Sequence, residues 1–144
     1  MRAFGLDVGS KTVGVAISDE LGITAQALTT LRRAGLRADL AALRQLAQTH
    51  QVTNAVVGLP LNMDGSEGPS AARSRAFGQA LEKALAFPVQ YWDERLSTRA
   101  AHRALRESDL SGDRRRALVD QVAAALILQG WLDAQRPREA GGLE

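Results

Sequence analysis

The chain predicts an α/β fold: a mixed β-sheet in which a three-stranded antiparallel meander joins β-α-β crossovers, with helices on both faces. Three observations carry that expectation. The first thirty residues alternate small or β-branched residues, with glycine and aspartate in the gaps. Short apolar runs then alternate with segments of helical periodicity, the pattern of parallel strands linked by crossover helices. The chain closes on a long apolar segment at helical spacing.

Phe4 to Asp7 leads through the turn Val8-Gly9-Ser10-Lys11-Thr12 into Val13 to Ile17. Ser18 to Gly22 turns the chain into Ile23 to Leu31, so residues 2–31 read as the meander. From Ala38 to His50 the residues Leu40, Leu43, Leu46 and Ala47 recur at helical spacing. Asn54 to Pro60 centres on a continuous apolar run, the mark of a strand covered on both faces. A loop from Leu61 to Ser70 follows, and Pro69 or Ser70 suits the start of a helix from Ala71 to Ala86. Phe87 to Glu94 reads as another strand, with Pro88 tolerable at its beginning. A helix from Ser97 or Thr98 to Arg106, a mobile loop at 107–113 and a last helix from about Arg115 to Gln135 complete the order β-β-β-α-β-α-β-α-α. Residues 1–135 read as one domain and 136–144 as a disordered tail.

Composition narrows the function classes. The chain has 144 residues, 45% of them hydrophobic and 24% charged, which suits one ordinary globular domain with a real core. With no cysteine there is no disulfide framework and no thiolate zinc site, and a reducing cytoplasm is the expected location. His50 and His102 are too few for a histidine metal site and read as surface residues. The longest uninterrupted apolar stretch, Val122 to Leu128, is far too short for a bilayer, and Met1 leads directly into a strand. Neither membrane insertion nor a signal peptide is expected. The net charge is only +2, yet sixteen of the eighteen basic residues are arginine. A GC-rich genome explains that bias as readily as phosphate recognition, for which the planar guanidinium is suited. Distribution bears on the choice, because Arg95, Arg99, Arg103, Arg106, Arg114, Arg115 and Arg116 fall between two acidic residues of special interest.

Those are Glu94 and Asp120, and with Asp7 they form the candidate site. Asp7 ends the first apolar run, Glu94 closes Val89-Gln90-Tyr91-Trp92-Asp93-Glu94, and Asp120 opens the apolar last helix. They stand 87 and 26 residues apart, so only a fold brings them together. Carboxylates placed against a core need a partner or a metal, and three together need a hard divalent cation to offset their repulsion. Asp7 and Glu94 both lie at carboxyl ends of strands, where ligands bind in such sheets. In the last helix Val119, Val122, Ala123, Leu126, Ile127 and Gly130 are expected to form the buried stripe. Asp120 borders it, while Ala123 and Ala124 allow close approach to the sheet.

Each acid also has a plainer reading. Asp120 suits a first helical turn by its charge alone. Asp7 is also a residue that starts hairpin turns, or the head of a phosphate-cradling turn of the actin and Hsp70-type ATPases. Those ATPases need two such domains, so no nucleotide cofactor is expected here. Adjacent strand residues point to opposite faces, so one of Asp93 and Glu94 faces the site, and the sequence leaves open which. Either acid also suits an ion pair with Arg95.

Four segments resemble the motifs of the YqgF/RuvX family, within the ribonuclease H-like superfamily. They are Phe4 to Ala16, Val57 to Pro69, Asp93-Glu94-Arg95-Leu96-Ser97-Thr98, and Val119 to Ala124 continuing to Gln129. The resemblance spans residue 4 to about 132, in order and without departure. It implies a ribonuclease H-like sheet and a site made of Asp7, Glu94 and Asp120. It also implies a bacterial cytoplasmic nuclease, of the kind described both as a Holliday-junction resolvase and as a processor of the 5′ end of pre-16S rRNA.

The expected chemistry is phosphodiester hydrolysis with two Mg²⁺ or Mn²⁺ ions about 4 Å apart, Asp7 bridging them and Glu94 and Asp120 completing their ligands. Lys11, Asn62, Arg95, Arg114, Arg115 and Arg116 are the expected nucleic-acid contacts, with the 107–113 loop placing the triple arginine over the cleft. Only 4% of residues are aromatic, which favours backbone contacts over base stacking. RNA processing is the expected role. Resolution of branched DNA is the alternative, since it needs a two-fold dimer where RNA trimming needs only one cleft. A monomer and a homodimer both remain open. The rival of another class is an RNA-binding protein that has lost catalysis.

Overall fold

Every expected strand is present in the computed structural model, which describes residues 1–96 and 112–136. The meander is β1 (Arg2–Val8), β2 (Thr12–Ser18) and β3 (Ala25–Arg32), followed by α1 (Leu36–His50) and β4 (Val52–Leu59). Then come α2 (Pro69–Leu85), β5 (Val89–Asp93), a single 3₁₀ turn (Glu94–Leu96) and α3 (Gly112–Gln135). The strands form one sheet in the order β3-β2-β1-β4-β5. β1 pairs antiparallel with β2 and parallel with β4, and β4 pairs parallel with β5. This is the expected mixed sheet. The helix expected over 97–106, the 107–111 part of the loop and residues 137–144 of the tail lie outside the described residues.

The period-two pattern of β1 and β2 sorts their side chains into two unlike layers. Phe4, Leu6, Val8, Val13 and Val15 face α1 and α2, where they pack with Leu43, Ala47, Phe77 and Leu81. Ala3, Ala16 and Val56 face α3, packing with Ala124, Ile127, Leu128 and Leu132. The first layer is bulky and fills the space beneath two helices. The second is built from small residues, so a single helix lies very close to the strands. Both faces of β1, β2 and β4 are covered, which is why their sequences read as nearly continuous apolar runs.

Helix ends are set locally. Pro69 starts α2, where its missing N–H removes nothing from the helix. Gln51 and Ala86 end α1 and α2 in the left-handed region, at φ 58° and 55°, and return an N–H to Ala47 O and Glu82 O. Neither is glycine, so each holds roughly 1 kcal/mol of backbone strain to turn the chain sharply toward its next strand.

Two expectations about α3 are corrected. Its buried residues are Val119, Ala123, Ala124, Ile127, Leu128 and Leu132, while Val122, Leu126 and Gly130 are only partly covered. The stripe is rotated because the helix rests on glycines, so Ala124 and Leu128 reach the sheet backbone directly. A Cβ on Gly5 would stand 2.6 Å from both Ala124 O and Leu128 Cβ. Second, α3 contains a 19-residue stretch, Ala117–Gln135, long and apolar enough by length and composition to cross a membrane. Counting only the uninterrupted apolar run misses it. Four of its six buried residues, Ala124, Ile127, Leu128 and Leu132, pack with Ala3, Ala16 and Val56 of the sheet, as in a core helix.

The tightest of these contacts is at Gly14, where a Cβ would come within 2.0 Å of Asp120 O and 2.5 Å of its carbonyl carbon. Both atoms are backbone, so a methyl there lifts the helix. Gly14→Ala is expected to lose about 2–3 kcal/mol of stability, as overpacked cores do. Gly112→Ala, with nothing within 4 Å of the new methyl, is expected to leave stability unchanged or slightly raised. Urea denaturation of the two variants checks this, and equal midpoints refute the tight contact.

Candidate active site

Asp7 lies one residue before the end of β1, on the face that also carries Ala3 and Gly5 and looks toward α3. Its neighbours across the sheet are both glycines. On β2 the residue directly opposite is Gly14. On β4 the parallel register ends at Leu6 with Val57, which sets Gly58 next along the strand beside Asp7. No side chain grows from either position, and each vacancy is filled by an acid from a distant segment. Asp120 presses its backbone onto Gly14. Glu94 lies over Gly58, with Oε2 2.8 Å and Cγ 3.0 Å from where a Cβ would be, and Ile127 covers the same glycine. The fold therefore brings Asp7, Glu94 and Asp120 to one side of the sheet, all three half-buried.

Alternation along β5 decides between the two acids that close it, since Tyr91 packs toward α1 and α2 and Trp92 toward α3. Asp93 is still in register, opposite Leu59, and its carboxylate accepts from Arg95 Nε at 3.0–3.1 Å and Nη2 at 2.8 Å. Glu94 begins the turn, and its side chain lies on the α3 side. Glu94 is thus the acid that shares a face with Asp7.

Asp120 is held by a residue whose role the sequence reading missed. Thr12 Oγ1 donates to Asp120 Oδ2 at 2.5 Å, from the first position of β2. The turn before Thr12 is fastened as well. Gly9 N donates to Thr12 O at 2.9 Å, Arg33 N to Lys11 O at 2.8 Å, and Arg33 Nη1 to Gly9 O at 3.1 Å. Arg33 is aimed by Asp39, only 3% exposed, which accepts from Arg33 Nε at 3.0 Å and from Ala34 N at 2.9 Å. An aspartate in the first turn of α1 between apolar neighbours was the available signal for this buttress.

Of the expected nucleic-acid contacts, two serve the protein itself. Besides pairing with Asp93, Arg95 donates Nη1 to Met63 O at 3.1 Å, tying the loop after β4 to the end of β5. The Asp93 carboxylate, more than any other neighbour, holds the Arg95 proton even more firmly than usual. Asn62 organises the same loop. Its N donates to Ser66 O and its Nδ2 to Ser66 Oγ, both at 2.9 Å. The Ser66 hydroxyl and N–H donate to Asp64, and the hydroxyl is the main reason the Asp64 carboxyl lies below the usual range. Lys11 and Arg114 are exposed. Arg115 and Arg116 lie in the first turns of α3, and their side chains lie outside the described residues.

Three carboxylates are an all-oxygen donor set, which suits a hard cation and no soft one. Among the described residues no three acids or imidazoles are drawn into one ready metal-binding cluster. The donor chemistry fits a divalent metal.

Known proteins resemble this chain along nearly its whole length. The RuvX family, described as Holliday junction resolvase, matches residues 1–134. A Myxococcus xanthus protein named "Putative pre-16S rRNA nuclease" is 62% identical over 95% of this chain and 91% of its own. A protein of the same name from Moorella thermoacetica is 59% identical over 92% and 95%. Among solved structures, Thermus thermophilus RuvC in complex with a Holliday junction substrate superposes with a TM-score of 0.58 at 14% identity, covering 94% of this chain and 95% of that one. The Fowlpox virus resolvase in complex with junction DNA gives 0.55 at 12%, covering 95% and 100%. At such low identity these two establish a shared fold, the ribonuclease H-like sheet expected from the motifs. With the family match running through 134 residues and close relatives matched along nearly their whole length, the chain belongs to the RuvX family.

Proposed function

We propose that this enzyme hydrolyses phosphodiester bonds in RNA at Asp7, Glu94 and Asp120, with precursor 16S rRNA as its substrate. One observation carries the assignment of the site. Asp7 is flanked on both neighbouring strands by glycine, and the space over each glycine is occupied by a carboxylate-bearing residue from elsewhere in the chain. A structural role for three half-buried acids would be better served by apolar side chains over those glycines. The identity of the substrate is supported by the names of the relatives at 62% and 59% identity.

Two Mg²⁺ or Mn²⁺ ions, when bound, would supply a water of lowered pKa as nucleophile and stabilise the leaving oxygen. Asp7, between the other two acids, would hold both ions, with Glu94 on the β4 side and Asp120 on the β2 side completing their ligands. Thr12, bonded to Oδ2 of Asp120, would orient that carboxylate toward the ions. Lys11 and the arginines at the start of α3 would neutralise phosphates of the bound strand.

The family description favours a second reading, resolution of Holliday junctions. That reaction requires two symmetric cuts and hence a two-fold dimer, whereas one cleft suffices for RNA. A single preparation offered both a single-stranded precursor-rRNA fragment and a mobile four-way junction is expected to cut the RNA. Paired symmetric nicks in the junction, with the RNA left whole, would reverse the assignment.

Asp7→Asn is expected to bind RNA as the wild type does and to cut it more than about a hundredfold slower, beyond what loss of an outer metal-site partner costs. Cutting at the wild-type rate would show the site misassigned, and loss of binding together with cutting would point to a damaged fold. The same variant separates the enzyme from an inactive RNA-binding relative, which would be indifferent to it.

Thr12→Val removes the hydroxyl at nearly constant volume. It is expected to raise the Mn²⁺ concentration needed for half-maximal binding by about tenfold, with Thr12→Ser close to wild type. Calorimetric titration of Mn²⁺ reads this directly, and identical curves for the valine and serine variants would rule out a positioning role.

A further inference from the structure

The carboxylate site opens on its β2 side into a cavity of about 490 Å³, lined by the turn Gly9 to Thr12, by Thr30 and Arg32 of β3, and by Ala117 and Asp120 of α3. We propose that this cavity is a subsite for a backbone phosphate of the RNA strand, next to the bond that is cut. The proposal rests on the reading of the chain as an RNA nuclease and adds the strand's direction of exit, toward β3.

Four observations support it. Arg32 is the register partner of Thr12, the residue that holds Asp120. Directly opposed residues on neighbouring strands project to the same face with Cβ atoms about 5 Å apart. The Arg32 side chain therefore starts on the carboxylate side of the sheet. Second, Lys11 and Arg32 are exposed, and neither has an ion pair among the described residues. The neighbouring Arg33 differs, since Asp39 and Gly9 O hold its guanidinium behind the turn. Third, the rest of the wall's described residues are glycine, alanine and hydroxyl side chains, with no aromatic ring among them. Such a wall has nothing for a base to stack on but offers donors and charge to phosphate and ribose. Fourth, the one acid among the described residues of the wall, Asp120, has one oxygen covered by the Thr12 hydroxyl, which reduces its repulsion of an anion.

Two other cavities formed by described residues lack such a pair of outward cations. One lies between Leu28, Leu31 and Leu46 on the opposite face. The other, at the amino ends of β4 and β5, has one cation, Arg44, whose guanidinium donates to Ala84 O.

Binding of a fluorescein-labelled single-stranded RNA, followed by anisotropy in EDTA over a range of KCl, tests the subsite without any cutting. Arg32→Ala is expected to weaken binding about tenfold and to make the plot of log affinity against log salt shallower by about 0.7, the loss of one phosphate contact on a single strand. Lys11→Ala should behave alike, and Arg32→Lys should restore most of the slope. Lys83→Ala, exposed near the end of α2, is the control and should match wild type. Wild-type affinity and slope in both Arg32→Ala and Lys11→Ala overturn the subsite, as does an equal loss in Lys83→Ala. The Asp7→Asn cutting assay keeps the two ideas apart. Inert Arg32→Ala and Lys11→Ala with an inactive Asp7→Asn remove the subsite alone. Weakened binding in Arg32→Ala with full cutting by Asp7→Asn keeps the subsite and removes the catalytic assignment.

Discussion

A helix can lie directly on a sheet backbone only where the sheet has no side chains to hold it off, and the rest of this molecule follows from that contact. Gly5 and Gly14 give α3 such a floor, with helix atoms standing where Cβ atoms would be. Because the helix is this close, a short side chain such as Asp120 reaches a hydroxyl at the start of β2. Interiors packed to crystal density tolerate little slack, so the contact fixes the height and rotation of the helix together. A helix standing off by one methyl layer would need a longer acid and would lose the geometry that a short one keeps.

Around that floor the loops are immobilised by arginines acting as internal braces. Arg33, set by the buried Asp39, fastens the turn after β1. Arg95, set by Asp93, fastens the loop after β4 to the end of β5. Both use the guanidinium fork to join a carboxylate to a backbone carbonyl, which an ammonium does less well. The abundance of arginine thus has two physical uses here. The braces determine which cations remain outward, and Lys11, Arg32 and Arg114 are among them.

The order of strands and helices was legible because periodicity is a local property, and the runs in β1, β2 and β4 are strong. Asp7 and Glu94 were legible for a related reason, as charged residues closing apolar runs. Two things were not. The choice between Asp93 and Glu94 depends on which face of β5 meets α3; Glu94 follows Trp92 to that side by simple alternation, but nothing in Trp92-Asp93-Glu94-Arg95 says which face it is. The rotation of α3 depends on which sheet residues are glycine, so spacing within the helix alone put Val122 and Leu126 where Ala124 and Leu128 belong. Thr12 was hidden in plain view, since its partner lies 108 residues further on.

That separation has a consequence in time. The meander and both crossovers precede Gly112, and every contact among them forms without the last helix. A chain emerging from the ribosome therefore presents Asp7 and Glu94 on a sheet whose small-residue face is still wet, and Asp120 arrives only with the segment that dries it. Closing so long a loop is entropically costly and is repaid by burial of that whole face at once. Gathering of the three acids on one side of the sheet and sealing of the core become one event.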